Sequence, residues 1–174
     1  MFSGAFSAII TPFRDGAVDL TALRELVEWQ IQSGIDGLVP CGSTGESATL
    51  THAEHEQVIK TVIEQARRRV PVLAGTGSNA TAEAIRLTTF AREVRADGAL
   101  MISPYYNKPT QEGIFRHYKT VATAVDLPLF VYNIPGRTGS NIMPETFARM
   151  CEIKNVVGIK ESSGSMDQCS DIMK

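Results

Sequence analysis

Residues 129–160 read LFVYNIPGRTGSNIMPETFARMCEIKNVVGIK, and this stretch decides the fold. It opens on LFVY, a short continuous apolar run. A turn rich in glycine and proline follows. A helix is expected from Pro144, because proline suits the first helical position. The stretch closes on a second apolar run, VVGIK, ending at Lys160. Strand, helix and strand within roughly 30 residues is the signature of a βαβ unit.

The same unit recurs outward from here. Apolar runs lie at 5–10, 37–39, 70–74, 99–103, 129–132 and 156–160. They are continuous rather than alternating, which suits parallel strands covered on both faces. Helical periodicity fills the gaps: Leu23, Leu26, Val27 and Ile31 on the first helix, Val58, Ile59, Val62 and Ile63 on the second. Thr51 and Glu54 form a capping-box pattern at the start of the second helix. A third helix is expected over about 79–96 and a fourth from near Thr110. An α/β fold follows, either an open doubly wound sheet or a (β/α)8 barrel. Polar, glycine-rich clusters follow nearly every strand, which favours the barrel, whose active site draws on many βα loops. Six units are visible where eight close a barrel of about 250 residues. Residues 1–174 are therefore expected to be a partial barrel, with strands 1–6 present and strands 7–8 absent.

Composition narrows the partners. Of the 174 residues, 43% are hydrophobic and 21% charged, and the formal net charge is −2. The basic triplet Arg67, Arg68 and Arg69 reads as the solvated end of a helix, where cations complement the macrodipole. Nucleic acid is not an expected partner. The N-terminal residues 1–6 carry no basic region, and no apolar run approaches the roughly 20 residues of a membrane span. A cytoplasmic location without membrane contact is expected. Cys41, Cys151 and Cys169 are odd in number and lack paired spacing, as reduced thiols do.

The chemistry-bearing residues stand at the strand ends. Lys160 ends a run that reads as buried, and lysine is rarely buried unless paired. Desolvation favours the free amine, which can attack a carbonyl to form a Schiff base. The alternative is a lysine that snorkels to solvent. Ser43 and Thr44, within GSTGE, offer hydroxyls and amides that form a carboxylate nest, or a tight turn with a helix cap. Tyr132 can shuttle a proton or pack in the core. Arg137, in PGRTG, can hold a carboxylate bidentately or stand free at the surface. The GTGSN segment at 75–79 lacks the Gly-Lys-Ser/Thr of a phosphate loop.

Together GSTGES (42–47), YYNKP (105–109), YNIPGRTG (132–139) and GIKE (158–161) resemble the pyruvate-dependent class I aldolases, and among them the dihydrodipicolinate synthases. The resemblance covers the whole chain, and it implies that the family's chains run on through strands 7–8 and a C-terminal helical region absent here. It implies a lyase that condenses pyruvate with aspartate semialdehyde in lysine and diaminopimelate biosynthesis. It implies no cofactor beyond a covalent imine on Lys160, no metal, and a homotetramer. Tyr132 would relay protons. Ser43 stands where the family usually has threonine in that relay. Tyr106 would complete the relay by reaching across a dimer interface. Thr44 would bind the pyruvate carboxylate and Arg137 that of aspartate semialdehyde. Two other readings stay open: another pyruvate aldolase of the N-acetylneuraminate lyase type, or a shortened, non-catalytic binding protein.

A second group matches the site at which lysine inhibits many family members. It comprises Ser47, Ala48, His52 and His55, with Asn79, Glu83 and Tyr105. The resemblance implies that Glu83 takes a lysine amino group while Asn79 and Tyr105 hold its carboxylate. Without it, His52 and His55, three apart on one helix, read as exposed histidines.

Overall fold

The computed structural model describes residues 2–174; Met1, part of the N-terminal stretch above, lies outside them. The chain divides into two compact units, one running to Gly75 and taking in Phe90–Gly98, the other Thr76–Thr89 with Ala99–Lys174.

The first unit holds β1 (Phe6–Ala8), a hairpin of β2 (Phe13–Arg14) and β3 (Ala17–Val18), α1 (Leu20–Gln32), β4 (Gly37–Val39), α2 (His52–Ala66) and β5 (Leu73–Gly75). Strands β1 and β4 pair in parallel, Phe6 opposite Gly37. β5 continues the parallel arrangement: Leu38 N–H donates to Pro71 O at 3.0 Å and Gly75 N–H to Pro40 O at 2.9 Å. Leu23 and Val27 of α1 and Val58, Ile59 and Val62 of α2 are buried, the helical faces expected from their spacing. The α2 capping box forms as read, with Thr51 and Glu54 each satisfying a backbone amide of the other. The basic triplet does follow the end of α2. It is more than solvated, because Arg69 grips Glu28 of α1 with both terminal nitrogens, at 2.9 and 2.7 Å. That bond, first, holds the Glu28 carboxyl down at about 2.

The β2–β3 hairpin is a feature the apolar pattern misses. Each strand has two residues, too short for any periodicity, and the turn rests on Asp15 and Gly16 at φ 52° and 80°. An Asp-Gly pair with both residues left-handed is the favoured two-residue hairpin turn.

Helix α3 (Thr81–Glu93) starts in the second unit and ends in the first; β6 (Gly98–Ile102) lies in the second but for Gly98. The second unit continues with α4 (Gln111–Ala124), β7 (Leu129–Asn133), the single turn α5 (Pro135–Thr138), α6 (Pro144–Met150), β8 (Val156–Glu161) and α7 (Met166–Ile172). Strands β6, β7 and β8 form a parallel ladder in that order. Helix α4 is capped by Thr110, whose hydroxyl accepts from Gly113 N–H at 3.2 Å.

One expectation fails here. The apolar VVGIK run predicts a buried strand, but Val157 and Lys160 of β8 are exposed and only Val156 is buried. β8 is the last strand of its ladder, so among the described residues nothing pairs with its outer edge. Lys160 therefore reaches solvent, and burial does not supply the desolvation on which its reading rested.

Candidate active site

In the second unit Lys160 and Tyr132 occupy facing positions on β8 and β7. Register partners in a parallel ladder place their side chains on one face. The Lys160 Nζ accordingly lies 4.2 Å from the centroid of the Tyr132 ring, within the range of a cation–π contact. Tyr132 is buried while the lysine is open. The phenol thus has the fixed environment of a core residue together with contact to the exposed amine. Both readings of Tyr132, packed and proton-handling, are compatible with this position.

Arg137 lies on α5, directly after β7. Its backbone is fixed by N–H donation to Ile134 O at 3.0 Å, and its guanidinium is exposed with no ion-pair partner among the described residues. Tyr106 is 88% exposed, an unusual position for a phenol. Its backbone is left-handed at φ 72°, and its N–H donates to Thr138 O at 3.3 Å. A single bond thus ties the Tyr106 loop to the turn that carries Arg137.

In the first unit Ser43 and Thr44 top a loop after β4. The loop is held from within: Gly45 N–H donates to Gly42 O at 3.0 Å and Glu46 N–H to Ser43 O at 3.2 Å. The Thr11 hydroxyl pins it from below by donating to Gly45 O at 2.7 Å. Gly45 is tightly enclosed, since a Cβ would stand 3.1 Å from both Cys41 N and Ile9 O, close enough that the backbone there would have to give. Ser43 and Thr44 themselves are exposed. Their amides and hydroxyls have no partner among the described residues. A braced loop with undonated amides at its tip is suited to a small carboxylate.

The second group falls in both units. In the first, Ser47 and Ala48 follow the GSTGE loop and His52 opens α2. His55 departs from the expectation of exposure: it is 5% exposed, with Nε2 2.7 Å from Gly75 O. The reason is helical phase, because position 55 shares the inward stripe of Val58, Ile59 and Val62. In the second unit the Glu83 carboxylate takes a short hydrogen bond from the Ser78 hydroxyl. Asn107 joins the loops of Asn79 and Tyr105, donating from its side chain to Asn79 O at 3.2 Å and from its N–H to Tyr105 O at 2.9 Å.

The sequence reading passed over a polar layer behind Lys160. Glu161 and Asn133 are also register partners, one residue on and so on the opposite face. Glu161 accepts from Asn133 Nδ2 at 2.9 Å, Gln168 Nε2 at 3.0 Å and Ser163 N–H at 2.5 Å. Partial burial opposes ionisation of Glu161, but these donors outweigh it and hold the carboxyl below its usual range. The only sequence signal was the Glu that ends GIKE, which carried no assigned role. Tyr118 was also missed. It is fully buried on α4, its hydroxyl donating to Met101 O at 2.8 Å, and its spacing from Ile114 and Val121 marked it as core.

Comparison with known proteins completes the picture. The model of the dihydrodipicolinate synthetase family matches residues 1–174. The 4-hydroxy-tetrahydrodipicolinate synthase of Syntrophus aciditrophicus (strain SB) is 59% identical over 174 residues, covering 100% of this chain and 60% of the relative. The chain thus spans about 60% of the length of the curated relatives it matches. A chloride-inhibited dihydrodipicolinate synthase from Acinetobacter baumannii, solved in complex with pyruvate, superposes with TM-score 0.96 at 50% identity, over 98% of this chain and 59% of that one. The synthase of Cyanidioschyzon merolae with lysine bound gives TM-score 0.96 at 40% identity, over 99% and 59%. The fold is thereby of the (β/α)8-barrel type, of which this chain carries about six strand–helix units, and the doubly wound alternative falls.

Proposed function

The chain belongs to the dihydrodipicolinate synthetase family, and from that premise we propose that it carries the Schiff-base machinery of a 4-hydroxy-tetrahydrodipicolinate synthase, condensing pyruvate with aspartate semialdehyde. The observation that carries the reading is the Lys160 amine set 4.2 Å over the Tyr132 ring. A lysine nucleophile needs a group beside it that can move protons through successive steps.

The roles follow from the chemistry. The unprotonated Lys160 amine adds to the ketone of pyruvate, and loss of water leaves an imine. Loss of a methyl proton gives an enamine, whose carbon attacks the aldehyde of aspartate semialdehyde. The semialdehyde's own amine then displaces Lys160 as the ring closes. The imine is the electron sink, so no step calls for a metal or an organic cofactor. Tyr132 gives and takes the protons at Lys160. Ser43 and Tyr106 extend the relay, and Tyr106, standing out in solvent, does so within a homotetramer by entering a neighbouring copy's site. Ser43 keeps the hydroxyl of the family's usual threonine but loses the branched carbon that restricts its rotamer. Thr44 and the undonated amides beside it hold the pyruvate carboxylate. Arg137, whose guanidinium has no ion-pair partner among the described residues, takes the carboxylate of the semialdehyde.

The test is to incubate the chain with pyruvate, reduce with borohydride and weigh it. The expected result is a mass increase of one reduced pyruvate per chain, absent from Lys160→Ala. An unmodified mass for the parent chain would sink the reading.

Lysine is the proposed regulator: in the second unit Glu83, which accepts from the Ser78 hydroxyl, takes its amino group while Asn79 and Tyr105 hold its carboxylate. The lysine-bound relative and the Glu83 carboxylate support this. Millimolar lysine is expected to raise the melting temperature of the chain by mass action, and Glu83→Gln to weaken that rise at least about tenfold in lysine concentration. No rise with lysine would remove the proposal.

A further inference from the structure

The ladder between β7 and β8 changes register partway. Leu129 stands opposite Val156, yet the next residue, Phe130, stands opposite Gly158, so Val157 is passed over. Such a bulge bends the strand and interrupts the ladder. Whatever fixes the pairing beyond it matters greatly, because a slip of one residue turns every side chain to the other face. For Lys160 that would mean leaving the face it shares with Tyr132.

Two devices hold the ladder beyond the bulge. Near it, Gly158 lies against the Phe130 ring, where a Cβ would come to 2.9 Å, so any larger residue there would force the ring to shift. At the far end the contact is polar. Asn133, fully buried, donates from Nδ2 to Glu161 Oε2 at 2.9 Å. Its other atom is committed as well: Asn133 Oδ1 accepts from Ile142 N–H at 3.0 Å. Gln168 Nε2 donates to Glu161 at 3.0 Å, while Asn141 Nδ2 donates to Gln168 Oε1 at 2.7 Å. Glu161 thus receives donors from β7, α7 and its own loop, and Asn133 is anchored to the segment before α6. A strand shifted by one residue would carry the Glu161 carboxylate out of this set and leave the buried Asn133 Nδ2, which also donates to Asn141 Oδ1 at 2.8 Å, with one of its two N–H groups unpaired, which is costly.

We infer that Glu161 is a positioning residue which, paired with Asn133, locks β8 onto β7 in the register that sets Lys160 opposite Tyr132. The lock acts from the face of the sheet opposite the amine and touches no substrate. Its catalytic consequence rests on the Schiff-base reading; the lock itself does not.

Glu161→Gln tests it, because the substitution keeps the shape but turns one of the two accepting oxygens into an N–H2, which then faces either the Ser163 N–H or the Asn133 and Gln168 amide donors. Two quantities are read. One is the rate constant for trapped imine formation with pyruvate. The other is hydrogen exchange at the Ser162 amide, which donates to Asn133 O at 2.9 Å at the end of the ladder. The rate constant is expected to fall at least about tenfold, as small displacements of a reacting group do, with half-saturating pyruvate changed less than about threefold. Ser162 exchange is expected to accelerate at least about tenfold. A purely structural role would lower the amount of adduct through lost folded protein and leave the rate constant alone. Should Glu161→Gln not fold, Glu161→Asp, one carbon shorter, is measured in the same way. Imine formation at the parent rate, or a fall in rate without faster exchange, overturns the inference. If the parent chain itself forms no adduct, the Schiff-base reading fails. The exchange measurement then decides the lock alone: acceleration supports it and unchanged exchange overturns it.

Discussion

His117 shows how much one residue's setting changes its chemistry. It is 5% exposed on α4, with Nδ1 2.9 Å from the Thr81 hydroxyl and Nε2 without a partner. Burial pushes its pKa down from 6.5 to about 4, so the folded protein keeps it neutral where the unfolded chain binds a proton. The stability this contributes is complete above pH 6.5 and drains away as pH falls from 6.5 towards 4. The loss approaches about 1.4 kcal/mol per pH unit within that window. Melting temperature followed from pH 7 to 4.5 should therefore fall, and His117→Gln should flatten the fall. Equal slopes in the two proteins would refute the assignment. At the same scale the reading of Lys160 changes its ground. The sequence suggested desolvation, whereas the structure offers an exposed amine against a buried phenol.

Among the elements, the best-defined boundary is the passage from α4 into β7, and one side chain makes it. Asn155 Nδ2 lies 3.1 Å from Ala122 O, 3.0 Å from Val125 O and 3.2 Å from Leu127 O. These carbonyls end the helix and open the strand, and helix ends leave such groups without internal partners. Asn155→Ala is expected to destabilise the fold by about 1–3 kcal/mol, read as a lower denaturant midpoint at unchanged slope. A midpoint within error of the parent would show that water satisfies these carbonyls equally well. Element starts were legible wherever chemistry is local: the Thr51–Glu54 box, a helix start near Thr110 and Pro144 at a first turn all form as expected. The β2–β3 hairpin escaped because two-residue strands carry no period, and only the Asp15-Gly16 turn announced it.

At the scale of the molecule, β8 ends its ladder with an edge that no described strand covers. Its Val157 is 48% exposed, and Met166 and Met173 on and after α7 are 77% and 86% exposed. Open edges with apolar flanks invite pairing with another chain. Self-association at micromolar concentration is expected, weakened by Val157→Lys, with apparent mass by sedimentation as the readout. A well-folded monomer across that range would contradict it. No helix is long and apolar enough to cross a membrane among the described residues.

Local sequence determined the α/β alternation, the helix caps and the identity of the chemical groups, because periodicity, capping and turn chemistry act over a few neighbouring residues. The motifs around Ser43, Tyr106, Tyr132, Arg137 and Lys160 were enough to point to a family. Tertiary structure decided what depends on partners distant in the chain. It exposed Lys160 where a run of apolar letters suggested burial, since burial belongs to neighbouring strands and not to composition. It turned His55 inward through the phase of α2. It also set Asn133 against Glu161 across 28 residues, a pairing that follows from strand register, which no spacing within either strand encodes.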